Sequence, residues 1–170
     1  MNNKNIQFRF ATKKDTPIIL TFIKELAEYE KLAHEVIATE ESLNQTLFGE
    51  KAYAEVILIE YQNNPIGFAL FFHNYSTFLA KPGLYLEDLY VKAEYRGLGI
   101  GKKALSFLAQ IALKRNCGRM EWWVLDWNKP SIDFYKKLDA TPMDDWSVFR
   151  LTEEKLKNLA LEEKLNIISD

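Results

Sequence analysis

A chain of 170 residues, 48% apolar and 27% charged, suits a single soluble domain spanning residues 1–170 around one sizeable core. Lys and Arg number 22 against 24 Asp and Glu, so a net charge of -2 leaves no general attraction for nucleic acid or an anionic membrane, and any anion site must be local. Cys117 is the only cysteine, which excludes an internal disulfide and a cysteine metal cluster and favours a reducing cytoplasm.

The opening MNNKNIQFRF holds no long apolar run, so neither a signal peptide nor a membrane span is expected there, and IQFRF alternates as a first strand. Thr12 and Asp15 have capping-box spacing and Pro17 suits a first turn. Ile19, Phe22, Ile23 and Leu26 then recur at helical spacing, which predicts an amphipathic helix to about Lys31. A weaker helix is expected at TEESLNQTLF. AEVILIEYQNNPIGFALFF reads as two apolar strands around the turn signal Asn63-Asn64-Pro65, an antiparallel hairpin.

Leu84 to Val91 supplies the next strand. Past a run of glycines, Ile100, Ala104, Phe107, Leu108 and Ile111 mark one face of a helix for which Gly118 is a suitable stop. RMEWWVLDW predicts another strand, Asn128-Lys129-Pro130 a turn into the short helix SIDFYKKL, and WSVFRL a last strand. An amphipathic helix, over about 152–166, closes the chain. The order β-α-α-β-β-β-α-β-α-β-α describes an α/β (α+β) fold, a mixed sheet with helices on its faces.

The stretch LYLEDLYVKAEYRGLGIG holds the chemistry. Glu87 and Asp88 interrupt an alternating apolar strand; in a regular pleat Asp88 points away from the face of Glu87, whereas a bulge would turn it. Arg96-Gly97-Leu98-Gly99-Ile100-Gly101 then lies between this strand and a helix, whose first turn has unpaired N–H groups and a partial positive charge that attract a phosphate. The spacing by itself is met equally by a tight turn. It lacks the Gly-Lys-Ser/Thr of a Walker loop, since Lys102-Lys103 follow Gly101, and it lacks the spacing of a dinucleotide fingerprint.

The motif Arg96-x-x-Gly99-x-Gly101 after a strand ending at Val91 resembles the acetyl-CoA loop of the GNAT N-acetyltransferases. IKELAEYEK, LYLEDLYV, YRGLGIG and WNKPSIDFYKKLDA, in that order, are similar to the spermidine/spermine (diamine) acetyltransferase branch, over about residues 6 to 151. The resemblance implies a mixed, mostly antiparallel sheet flanked by helices and splayed between its fourth and fifth strands. It implies acetyl-CoA as cosubstrate, its pyrophosphate against the loop from Arg96 through Gly97, Leu98, Gly99, Ile100, Gly101 and Lys102. Its pantetheine arm would lie along Leu89, Tyr90 and Val91, with Asn128, Lys129, Pro130 and Ser131 completing the cofactor side. Tyr135 falls on the family's acid and cofactor-contacting tyrosine, Glu87 on its base. Tyr29 and Glu30, with Glu87, fall where the family binds its amine; Asp145, with Asp144 beside it, aligns only loosely with that acidic mouth. Trp122 and Trp123 are core aromatics or substrate walls. The family also implies a homodimer.

The residue types suit the reaction. An alkylamine of pKa near 10.4 is neutral in only about one molecule in 2,500 at pH 7, a cost of roughly 4.6 kcal/mol. A carboxylate attracts the ammonium and then accepts its proton, directly or through one water. A backbone N–H, that of Leu89, would stabilise the negative charge that acyl transfer develops on oxygen, and a phenol would protonate the departing sulfur. These features point to acetylation of a small cationic amine, most simply a diamine or polyamine. Lysine-like amines, protein N-termini, or an acyl-CoA-binding module without turnover remain alternatives. His34 and His73 have no ligand-spaced partners, so no metal is expected. Asp139 stands where the wider family has glycine, at a helix end that needs positive φ, which Asp tolerates.

Overall fold

The computed structural model describes residues 5–162, and its contacts divide into two compact units between Trp123 and Val124. The first unit is built on a five-stranded sheet, β1 (Ile6–Phe10), β2 (Glu55–Tyr61), β3 (Asn64–Ser76), β4 (Lys81–Val91) and β5 (Arg119–Trp122), whose spatial order follows the chain. Neighbours pair antiparallel except β4 and β5, which run parallel and are joined by the crossover helix α3 (Ile100–Lys114). The mixed, mostly antiparallel sheet expected from the sequence is therefore what forms.

The central strands are buried on both faces, which is why VILI in β2 reads as a continuous apolar run rather than an alternation. On one face, Ile19 and Phe22 of α1 (Thr16–Tyr29) and Leu43 and Leu47 of α2 (Glu40–Phe48) pack on Val56, Leu58, Phe68 and Tyr90. On the other, Ile100 and Ala104 of α3 pack on Ile59 and Ile66, joined by Leu89 and Val91.

Local chemistry sets the helix ends. Asp15 accepts from the Thr12 N–H at 2.7 Å and hydroxyl at 2.9 Å, so the predicted box exists, but it closes a 3-10 turn, Lys13–Asp15, that feeds into α1. Arg9 of β1 bonds both Asp15 and Glu60 at 2.8 Å, tying that turn to the sheet and holding the Asp15 carboxyl well below the usual range. Helix α3 ends earlier than its glycine suggested. Asn116 takes the left-handed conformation (φ 56°) while the Cys117 N–H reaches back to Ala112 O at 2.9 Å; Gly118 instead donates to Pro82 O at 2.8 Å and leads into β5. The β2–β3 turn also sits one residue before its signal, on Gln62 (φ 51°) and Asn63 (φ 63°), the primed geometry that suits strand twist.

The second unit holds α4 (Lys129–Lys136) and α5 (Glu153–Glu162). Two strand expectations are corrected: RMEWWVLDW is strand only over Arg119–Trp122, and WSVFRL forms no ladder, its residues all exposed. Alternation supplies β-propensity, but a strand also needs a hydrogen-bonding edge, which is a non-local matter. Asp139 does adopt φ 61° at the end of α4, with the Ala140 N–H on Tyr135 O at 3.2 Å. The expected last helix over about 152–166 is seen as α5, with 163–166 outside the described residues.

At Gly67 a Cβ would lie 2.2 Å from Tyr90 O and 3.1 Å from Val91 Cα, both backbone atoms that cannot yield cheaply. Gly67→Ala is expected to destabilise the chain by about 1–3 kcal/mol, read as a lowered urea midpoint at unchanged m-value.

Candidate active site

Strand β4 carries one residue more than β3 can match. Phe71 faces Leu86 and Leu70 faces Asp88, leaving Glu87 as the extra residue of a bulge. The bulge turns Asp88 onto the face of Leu70, which packs with the α1 core, instead of the α3 face that strict alternation would give it. Glu87 stays exposed while Asp88 is largely covered. Burial first, then the charges of Glu87 and Glu30, push the Asp88 carboxyl up to about 7. Glu30, just past the end of α1, is itself raised by burial. Three carboxylates from two elements thus converge: Glu30, Glu87 and Asp88.

The backbone beside them is open. Strand β5 pairs with β4 only from Gly83 to Leu86, so the splay between fourth and fifth strands begins at the bulge. The Lys92 N–H bonds Ile66 O at 2.9 Å, which sets the phase of the β3–β4 ladder. By the alternation of an antiparallel pair, Asp88 and Tyr90 then bond toward β3, whereas Leu89 and Val91 direct their N–H and C=O groups to the β5 side, beyond the last β5 rung. Arg96 Nε takes Val91 O there, at 2.8 Å.

Five residues on, the glycine loop enters α3. Gly97 and Gly99 both sit at φ 75°, a left-handed conformation that glycine holds without strain, and nothing lies within 4 Å of where either Cβ would be. Gly99 caps α3 without a side-chain bond, and the first turn holds no acid. The Lys103 N–H bonds Gly99 O at 3.2 Å, so the N–H groups of Ile100, Gly101 and Lys102 have no intrahelical acceptor. An uncapped helix start with lysines in its first turn and bare backbone before it fits a phosphate.

Trp122 stands opposite Leu86 at the last rung, and Trp123 packs edge-on against Tyr85 at 5.9 Å while 57% exposed. Tyr85 pairs with Phe72, on the same face as Leu70 and Asp88, so Trp123 borders the carboxylate side of the sheet. In the second unit, buried Asn128 caps α4, its side chain accepting from the Ser131 N–H at 3.3 Å, with Lys129 and Pro130 opening the helix. Asn128, expected on the cofactor side, thus also holds a helix start. Tyr135 lies on that helix, its ring 5.4 Å from Phe134. Asp144 and Asp145 are exposed in a turn. His34 pairs with Glu35 at 3.2 Å, and no metal-holding group of His, Cys, Asp and Glu occurs among the described residues. No described helix is long and apolar enough to cross a membrane.

The model of the acetyltransferase (GNAT) family matches residues 21–140, from mid-α1 to the end of the α4 region. The chain belongs to the GNAT acetyltransferases. It is an enzyme of that kind, taking its acetyl group from acetyl-CoA and passing it to an amine. It is 39% identical over 166 residues to a thialysine N-epsilon-acetyltransferase of Bos taurus, covering 91% of this chain and 97% of that protein. It is 36% identical over 167 residues to a human spermidine/spermine N(1)-acetyltransferase-like protein, covering 92% of this chain and 24% of that longer protein. Among solved structures, an integron cassette protein of V. cholerae superposes with a TM-score of 0.79 at 25% identity, covering 94% of this chain and 99% of its own.

On sequence alone Asp88 ranks only as support, because its orientation depends on a bulge that no pattern specifies. Pattern reading marks Arg96 as part of the glycine loop but leaves unremarked its contact with the rings of Tyr29 and Tyr90. Because Asp88 is raised, the folded state keeps a proton that the unfolded chain releases above about pH 4. That stabilising contribution is full below pH 4 and is lost as pH rises through about 7, at ~1.4 kcal/mol per pH unit. Asp88→Asn should therefore unfold at a higher temperature than the parent at pH 8 and lose that advantage at pH 4, while acetylating amines more slowly.

Proposed function

We propose that this GNAT enzyme acetylates the terminal primary amine of a small, multiply charged cation, a diamine or polyamine, by direct transfer within a ternary complex. The observation that carries the reading is the convergence of Glu30, Glu87 and Asp88 on the α1 side of β4, next to the splayed edge. Burial and the charges of Glu87 and Glu30 disfavour the ionised Asp88, and an arriving ammonium relieves that cost.

In this reading the loop 97–102 and the α3 N-terminus hold the cofactor phosphates, and the outward backbone of Leu89 and Val91 receives its arm. Acetyl-CoA supplies an acetyl group activated as a thioester. Glu87, exposed and adjacent to the open edge, accepts the ammonium proton directly or through a water. Asp88 and Glu30 attract and orient the cation, and the Leu89 N–H steadies negative charge on the reacting oxygen. Tyr135 is assigned the acid on the family pattern, giving its phenolic proton to the departing sulfur. Cytoplasmic residence and a homodimer belong to the same reading; equilibrium sedimentation tests the latter.

A lysine-like ω-amine is the second reading, favoured by the thialysine acetyltransferase to which the chain is 39% identical. A steady-state panel separates the two. Diamines and polyamines should give kcat/KM at least tenfold above lysine analogues and neutral peptides. The reverse order selects the second reading, and equal turnover of all sinks both.

Tyr135→Phe is expected to lower kcat by about 10²-fold with CoA affinity nearly intact, measured by steady-state kinetics and calorimetry. Equal losses in both would mark a packing role. Glu87→Gln should move the activity optimum to higher pH, where more amine arrives unprotonated; an unmoved profile would remove Glu87 from the mechanism.

A further inference from the structure

The arginine of the glycine loop does not point its charge at open space. Its guanidinium carbon lies 4.5 Å from the ring centroid of Tyr29, the last residue of α1, and 5.5 Å from that of Tyr90 on β4. Its Nε bonds Val91 O at 2.8 Å. Tyr90 in turn packs at a tilt on Phe22, ring centroids 5.9 Å apart, and the Phe22 side chain is fully buried. A continuous run of contacts therefore leads from the α1 core through Tyr90 and Arg96 to Tyr29, whose chain neighbour is Glu30. One side chain ties three elements together: the open edge of β4, the start of the glycine loop and the carboxylate end of α1.

We propose that Arg96 is a positioning residue, a strut that sets the phosphate loop against the amine-binding end of α1, and that cofactor affinity and amine affinity are coupled through it. The two flanking rings hold the guanidinium by cation–π attraction. A planar guanidinium can lie against two rings and still donate to Val91 O, which a lysine ammonium does less well. Tyr29 acts through this contact, its ring supporting Arg96. The inference rests on the loop 97–102 being the cofactor site.

Charge alone and a strut make opposite predictions. Removing the cation held against Tyr29, at the amine end of α1, should, by Coulomb attraction only, tighten a cationic amine and lower its KM. As a strut, Arg96→Gln should raise the KM of the best amine about threefold or more and weaken CoA binding about 5- to 10-fold, with kcat changed less than twofold. Arg96→Lys should not rescue either constant. Tyr29→Leu should reproduce the loss of CoA affinity from across the stack, whereas Tyr29→Phe, which keeps the ring, should hold that affinity within about twofold. The Arg96→Gln/Tyr29→Leu pair should be no worse than either single variant. The slope of CoA affinity against salt should match the parent in Arg96→Gln, because no phosphate contact has been removed. Thermal unfolding of each variant checks that it folds. An amine KM that falls or stays level in Arg96→Gln, strictly additive losses, or a reduced salt slope would overturn the strut and leave the loop assignment standing. Gly99→Val with unaltered CoA affinity would overturn the loop assignment and the strut with it.

Discussion

Between Leu86 and Asp88, strand β4 holds an extra residue that β3 cannot pair, and at the same level β5 stops pairing with β4. A sheet tolerates an unmatched residue only by bending locally and re-aiming the next side chains along the strand. Here that turns Asp88 toward α1 beside Glu87, and the freed edge lets Leu89 and Val91 present backbone groups to the β5 side. The acid cluster and the exposed polar backbone thus share one origin in the covalent register of a single strand.

The two ends of this arrangement carry opposite polarity. The start of α3 offers unpaired N–H groups, the positive end of a 15-residue helix, and Lys102 and Lys103; the end of α1 offers Glu30 near Glu87 and Asp88. Acetyl transfer brings together an anionic cofactor and a cationic amine, so the site must keep their charges apart while their reacting atoms meet.

Such a site costs stability. Asp88 is largely buried with two other carboxylates as its charged neighbours, and Glu30 comes after a helix end whose dipole disfavours a negative charge. The first unit offsets this with fully buried large side chains on both sheet faces, Phe22, Phe68, Phe71 and Leu108 among them, and with paired charges where no chemistry is required. Arg115 binds both Glu55 oxygens and lowers that carboxyl's pKa, the reverse of what happens to Asp88. Carboxylates of similar sequence context diverge because one is given a guanidinium and the other two more acids.

Much of this architecture is legible in the residues alone. The apolar periods mark α1, α2, α3 and the central hairpin. The glycines after Val91 announce a tight loop between strand and helix, and Asp139 is expected in its left-handed seat and found there. These are local properties, governed by sterics and by which face of a short segment is greasy. WSVFRL misleads because a ladder needs a partner edge, and Gly118 misleads because Asn116 satisfies the same carbonyls sooner. Tertiary structure alone decides the facing of Asp88, the reach of β5 and the seat of Arg96 between Tyr29 and Tyr90. Each of these depends on how residues far apart in the chain register against one another, and pairing energies summed across a sheet are not written in any one segment of it.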